Sequence, residues 1–377
     1  MNKNLVNVEM SGIRKFSNKV KNIDGAISLT LGQPDFNVPD VVRDGLLKAI
    51  KNNNTVYTEN AGILSLRDEI SKYLGKRNIK YSADEICITV GGSEALFSIF
   101  TALINAGDKV LIPDPAYPAY ESIVKILGGE VIRYSLNNDF TINVEEIKNA
   151  VESGVKYLVL SLPSNPTGSI LSKKERDELA EIIRGNEVVV VTDEIYEALI
   201  YGEYYSVAQD EELLDKIIYV SGFSKMFSMT GLRVGYFAAK NNLMEQIMKV
   251  HQYNVSCAAS ICQYAVVEGL KKGLDDVEKM REVFDMRKNY VVGELKKMGL
   301  EVVEPKGAFY VFPSIKKFGI SSEKFCEKLL YDYKVACVPG SAFGEGGEGY
   351  IRISYCYSTE ELKESLSRLR TFIKSLA

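Results

Sequence analysis

The sequence predicts an α/β fold, with a mostly parallel sheet covered by helices on both faces and joined to a smaller α+β unit. Three observations predict it. From about residue 86, short β-branched runs alternate with amphipathic stretches, the punctuation of successive βαβ units. The run Val188 to Val191 is apolar throughout, as suits a strand buried on both sides of a parallel sheet. From about residue 275 the pattern changes to one long charged helix, short strands and a closing helix, which reads as a second unit.

The elements follow in chain order. EICITV is a strand, ALFSIFTALI a helix, KVLIP a strand, AYESIVKIL a helix and EVIRYSL a strand. KYLVLSLP is the next strand, and Ser172-x-x-Glu175 is a capping box that opens a helix. EVVVVTDE and KIIYVSGF complete the series. In the second unit the helix spans DDVEKMREVFDMRKNYVVGELKKM. Short strands are expected around Ala308 to Phe312, Val335 to Val338 and Tyr350 to Ser354, with a last helix capped by Ser358 and Glu361. No repeat or long linker separates the units, so they are expected to pack over a shared cleft.

Composition narrows the chemistry. The chain has 377 residues, 46% of them hydrophobic, enough for a large core and about two globular units. A net charge of -4 supplies no basic field to draw nucleic acid or an anionic membrane, so neither is expected as a partner. Six cysteines are scattered without a CxxC pair and read as reduced core thiols. With one histidine, His251, histidine-rich metal sites are excluded, and no metal site is expected. The N-terminus lacks a charged stretch followed by an apolar segment, which predicts a cytoplasmic protein. Chemistry must then lean on Lys, Tyr, Asp, Glu or a cofactor.

Four motifs fall at expected strand ends. Gly91-Gly92-Ser93-Glu94 precedes a helix whose free N–H groups and dipole suit a phosphate, although glycine at a strand-to-helix turn also serves the turn alone. Ser164-Asn165-Pro166-Thr167-Gly168 is a turn that places the Asn165 amide at the sheet's C-terminal edge, where open α/β folds bind ligands. Asp193-Glu194-Ile195-Tyr196 ends the VVVV strand. Its first carboxylate either caps the next segment or, facing a pyridine nitrogen, keeps that nitrogen protonated. In the run Ser224 to Arg233, Lys225 sits among Phe223, Met226, Phe227 and Met229, where a poorly solvated ammonium becomes a nucleophilic amine. Arg233 offers a planar fork to a phosphate, the alternative for this run being a surface lysine and a solvated arginine.

NPTG, DEIY and SKMFSMTGLR, in this order, with LGQPDF before them and GAFYVF and VPGSAF…YIRISY after, resemble the class I aminotransferases of pyridoxal 5'-phosphate (PLP) fold type I. The likeness covers essentially the whole chain. SGIRKFS, KVHQYNVSCA and FPSIKKFG are most similar to bacterial aromatic and N-acetyl-L,L-diaminopimelate aminotransferases.

The resemblance implies a large PLP-binding domain, residues 43–276, with a seven-stranded sheet. It implies a small domain formed by residues 1–42 and 277–377. Lys225 is then the Schiff-base lysine and proton shuttle, Asp193 the partner of the pyridinium nitrogen, and Tyr196 and Asn165 donors to the 3'-oxygen. The phosphate falls to Gly92, Ser93, Glu94, Ser224 and Arg233, and the ring stacks on Tyr117. Tyr57 reaches the phosphate of a neighbouring subunit, which implies a homodimer with shared active sites. Arg352, with Gly32 and Asn165, receives the substrate, its fork gripping the α-carboxylate. The implied activity moves an α-amino group from an amino acid to a 2-oxo acid, 2-oxoglutarate being the usual acceptor, with aromatic or N-acetyl-diaminopimelate-type donors in view.

Two positions depart from the family pattern. Gly222 stands where a Ser or Thr is common, so one phosphate hydroxyl is missing or supplied by Ser221. Ser93 stands where several acidic-substrate members carry lysine. Two other activities compete: a PLP-dependent carbon–sulfur β-lyase, which needs the same lysine, and a PLP-sensing regulatory domain, which needs a DNA-binding module that the sequence does not show. Gly344 to Gly349 satisfies GxGxxG but precedes a strand, so a mobile loop beside Arg352 is expected there instead of a nucleotide site. His251 is expected to pack or make a local hydrogen bond.

Overall fold

The computed structural model describes residues 2–20 and 23–376. Its centre is a seven-stranded sheet in the order Ile86–Thr89, Gly235–Ala238, Ile217–Gly222, Val189–Asp193, Tyr157–Ser161, Lys109–Asp114, Glu130–Ser135. Every neighbouring pair is parallel except the two made by Gly235–Ala238, which runs antiparallel to both its neighbours. Alternating side chains feed two cores. Leu158, Leu160, Val190, Ile217 and Tyr219 face one core, which is closed by the helices Asp40–Lys51, Leu64–Gly75, Lys173–Gly185 and Ser260–Lys272. Val159, Val191, Ile218 and Val220 face the other, closed by Gly91–Leu103, Ala119–Ile126 and Asn241–Asn254. Both faces are dry, which is why these strands read as continuous apolar runs.

The second unit has its own core of Phe284, Val291, Phe309, Phe325, Ile351 and Leu366. Around it lie a three-stranded antiparallel sheet, ordered Val338–Pro339, Ile351–Ser354, Tyr310–Val311, and the helices Ser322–Tyr333 and Thr359–Ser375. Phe16 and Leu29 of the N-terminal stretch join this core, and Ile27–Ser28 pairs in parallel with Val335–Ala336. Val42 belongs to the first core. The helix Leu274–Lys297 passes from one unit to the other: Val277 packs in the first core, Met280 and Phe284 in the second.

Local chemistry explains several of these boundaries. At the helix starting at Lys173, the Ser172 hydroxyl accepts from the Glu175 amide at 3.2 Å, and the Ser172 amide donates to Glu175 Oε2 at 2.8 Å. Ser358 and Glu361 repeat the arrangement before Thr359–Ser375. The strand Gly235–Ala238, absent from the sequence expectations, has only four residues, and Arg233 just before it is left-handed at φ 55°. The glycine-rich loop does precede the strand Ile351–Ser354, and it packs against Asp114. The Gly346 amide donates to Asp114 Oδ1 at 3.0 Å, and a Cβ at Gly344 would stand 2.1 Å from that oxygen.

Candidate active site

The C-terminal ends of the parallel strands open into a cavity of about 510 Å³ between the two units. Each motif reaches it by its place in the sheet. Thr89 leads into Gly92 and Ser93, Ser161 into Asn165, Asp193 into Tyr196, and Gly222 into Ser224 and Lys225. Arg233 enters just ahead of the antiparallel strand, and Gly32, Tyr310 and Arg352 come from the second unit. Of the residues expected from sequence, Gly32, Gly92, Ser93, Tyr117, Asn165, Asp193, Tyr196, Ser224, Lys225, Arg233 and Arg352 all line this one cavity.

Lys225 is half-buried, and its Nζ donates to the Gly32 carbonyl at 2.5 Å. Burial lowers its pKa to about 8; the Cys356 thiol opposes the shift, and the Arg233 and Arg352 charges add to it. A fraction of the amine is therefore neutral near pH 7. Asp193 is buried, accepting from Tyr120 OH at 2.7 Å and from the Ile195 amide at 3.2 Å. Burial raises its pKa in spite of these two bonds, because no cation faces it among the described residues.

Arg352 is also buried. Nη1 donates to Asn165 Oδ1 at 2.8 Å, Nη2 to the Thr30 carbonyl, and the guanidinium lies 4.3 Å from the Tyr310 ring centre. Its Nε has no hydrogen-bond partner among the described residues. Tyr196 OH shares a 2.8 Å hydrogen bond with Tyr310 OH. The helix Gly91–Leu103 points its N-terminus at the cavity. Gly91 takes φ 75°, and a Cβ there would lie 2.6 Å from Arg233 Nη2; a Cβ at Gly235 would lie 2.7 Å from the Gly92 amide nitrogen. The glycines thus leave the backbone bare beside the arginine.

Two expected residues do not line the cavity. Glu94 turns its carboxylate into the protein, where it accepts from the Val90 amide and from Ser98 Oγ and meets His251 Nδ1 at 3.2 Å. His251 is fully buried, and its other nitrogen is 2.9 Å from the Asn60 carbonyl, so it braces this helix start from behind. Tyr57 is 87% exposed on the outer surface.

The departure at Gly222 has a steric reason. A Cβ there would meet Gly235 Cα at 2.9 Å and Ile195 Cδ1 at 3.1 Å, across the antiparallel strand pair. Ser221 faces away, donating to the Glu194 carbonyl at 3.3 Å, and does not line the cavity.

Sequence reasoning missed Tyr120, which donates to Asp193 and lies 2.9 Å from Ser161 Oγ, as well as Tyr310, Thr230 and Arg14 on the cavity wall. The second tyrosine of AYPAY was the available signal for Tyr120. Tyr310, Thr230 and Arg14 lie within GAFYVF, SKMFSMTGLR and SGIRKFS, runs that carried the family resemblance without giving these three residues a role.

The residues fit PLP. A buried carboxylate without a cation suits a protonated ring nitrogen, a half-buried amine of lowered pKa suits an aldehyde, and the glycine cradle with Arg233 suits a phosphate.

Residues 24–369 match the family described as aminotransferase class I and II. A probable N-acetyl-LL-diaminopimelate aminotransferase of Bacillus subtilis (strain 168) is 45% identical, over 97% of this chain and 94% of its own. An aspartate aminotransferase of Pyrococcus abyssi is 39% identical, over 97% and 96%. The crystal structure of an aromatic aminotransferase from Pyrococcus horikoshii superposes with a TM-score of 0.91 at 37% identity, covering 96% of this chain and all of that one. A match across nine-tenths of the chain, on a cavity with this inventory, places the protein among the PLP-dependent class I and II aminotransferases.

Proposed function

We propose that the protein moves an α-amino group from an aromatic or N-acetyl-diaminopimelate-type amino acid to 2-oxoglutarate in two half-reactions, with the side chains of this cavity in the following roles. The observation that carries the reading is the meeting of Lys225, Asp193 and Arg352 in one cavity, each without an ion-pair partner among the described residues. Bound PLP supplies an aldehyde carbon that takes up the amino group and a ring that withdraws electrons from the substrate Cα.

Lys225 holds the cofactor covalently. With PLP bound, the Lys225 amine would also be the group that carries the proton leaving the substrate Cα. Asp193, fixed by Tyr120, keeps the ring nitrogen protonated. Tyr196 and Asn165 donate to the 3'-oxygen, and Tyr117 stacks on the ring. The amides of Gly92, Ser93 and Glu94, with Ser224 and Arg233, hold the phosphate. Thr230, on the cavity wall, is better placed than Ser221 to supply a further hydroxyl. Arg352 pairs with the substrate α-carboxylate, and Gly32 lies beside it.

Tyr57 completes the partner's phosphate site in a homodimer. Exposed Val56, Tyr57 and Tyr253 support this, on segments tied together by Asn60 Nδ2 donating to the Ser256 carbonyl at 2.7 Å. Six free cysteines, five of them buried, suit a reducing cytoplasm, and no helix among the described residues is long and apolar enough to cross a membrane.

A panel of amino donors that includes aromatic amino acids and N-acetyl-diaminopimelate, read by conversion of bound PLP to the pyridoxamine form, tests the assignment. Conversion by one donor class, with return of the spectrum on adding 2-oxoglutarate, is expected. Pyruvate and ammonia from cystathionine without amino transfer would instead mark a β-lyase.

A further inference from the structure

Asp114 ends the strand Lys109–Asp114 of the large sheet, yet its carboxylate reaches across to the second unit. Oδ1 accepts from the Gly346 amide at 3.0 Å, and Oδ2 lies 4.0 Å from Arg133 Nε. Two residues on, the Ala116 amide donates to the Phe343 carbonyl at 2.8 Å. Both bonds grip one hairpin tip, residues 340–349, which joins Val338–Pro339 to Ile351–Ser354.

The tip is shaped for this contact. The Gly340 amide donates to the Tyr350 carbonyl at 2.9 Å and closes the hairpin. A Cβ at Gly346 would stand 2.9 Å from the Asp114 carbonyl oxygen, and one at Gly347 would stand 2.1 Å from that of Gly340. Gly344 takes φ 121°, and its missing Cβ leaves room for Oδ1. The glycines that mimic a nucleotide fingerprint therefore admit a carboxylate of the protein itself. Phe343 adds an apolar anchor, packing with Phe140 of the first unit and Phe312 of the second.

Each side of the contact leads to the cavity. Tyr117 directly follows Ala116, and Arg352 stands opposite Val338 in the hairpin stem, its guanidinium 5.0 Å from the Phe343 ring. Asp114 itself does not line the cavity.

We propose that Asp114 is a positioning residue for substrate binding: by clasping the glycine tip it sets the hairpin that carries Arg352 against the strand end that carries Tyr117. The inference rests on the reading of Arg352 as partner of the substrate α-carboxylate.

The full-length enzyme, loaded with pyridoxamine 5'-phosphate, is mixed in single turnovers with 2-oxoglutarate. The half-saturating concentration and the limiting rate are read from the spectrum. In Asp114→Ala the half-saturating concentration is expected to rise roughly tenfold, the worth of one hydrogen bond to a charged group. The limiting rate should stay within about twofold, the pattern of lost binding without lost chemistry, and PLP affinity should be unchanged. Asp114→Asn keeps an oxygen that accepts from Gly346 and should bind 2-oxoglutarate as the wild type does. Gly344→Ala breaks the same contact from the other side and should repeat the behaviour of Asp114→Ala. Wild-type half-saturation in Asp114→Ala or Gly344→Ala, an Asp114→Asn as impaired as Asp114→Ala, or an equal loss of PLP affinity overturns the clasp. Arg352→Gln is measured alongside. An unchanged half-saturating concentration there overturns the α-carboxylate reading, whereas a large rise there with none in Asp114→Ala overturns the clasp alone.

Discussion

At Lys225 the decisive quantity is the free energy of the ammonium in its surroundings. Burial and two nearby arginines lower its pKa to about 8, so the reactive amine is a minor species at pH 7 and the major one at pH 9. Because the unprotonated form is the nucleophile, the rate at which the cofactor-free protein captures PLP should rise through about pH 8 and level off above it. Stopped-flow absorbance between pH 6.5 and 9.5 measures this, and a rate flat across that range would contradict it. Lys225→Ala should lose the visible absorbance of lysine-bound cofactor and at least roughly 10²- to 10⁴-fold of turnover, the usual worth of a proton-transferring group. Its circular dichroism should be unchanged, since the amine packs into no core. An unaltered visible spectrum in the variant would remove Lys225 from its place.

Elements position these residues by where strands stop and helices begin. The proposed phosphate cradle rests on Gly91 at φ 75°, Gly222 opposite Gly235, and a helix N-terminus aimed at Arg233. Gly91→Ala places an L residue in a left-handed conformation, which costs about 1–2 kcal/mol, and drives its Cβ against Arg233 Nη2. A lower melting temperature and weaker PLP affinity, measured by thermal unfolding and spectral titration, are expected together. Retained affinity would show that Arg233 does not hold the phosphate. Sequence periodicity revealed the parallel strands because both their faces are dry. It passed over Gly235–Ala238, whose four residues owe their pairing to the two neighbours they lie between.

On the scale of the whole molecule, the two units close on the cavity from opposite sides, and the helix Leu274–Lys297 shares both cores. Tyr57 stands exposed beside Val56, away from the cavity of its own chain. In a homodimer it would reach the partner's phosphate site. Analytical ultracentrifugation at micromolar concentration should give twice the 42.0 kDa chain mass. Tyr57→Phe should weaken PLP binding about tenfold, the worth of one hydrogen bond to a charged group. A monomer with undiminished cofactor affinity would contradict both.

The sequence by itself determined the α/β order of elements, the capping boxes at Ser172 and Ser358, and the motifs that carry Lys225, Asp193, Asn165, Arg233 and Arg352. These are local signals, written in periodicity or in short runs at strand ends. Only the tertiary structure decided that Tyr120 orients Asp193 from 73 residues away, that Ser221 faces away from the cavity, and that Arg14 turns toward it. The physical reason is that a side chain's partners depend on sheet register and on which face of a helix is anchored. Those are settled by packing between segments that the sequence keeps far apart.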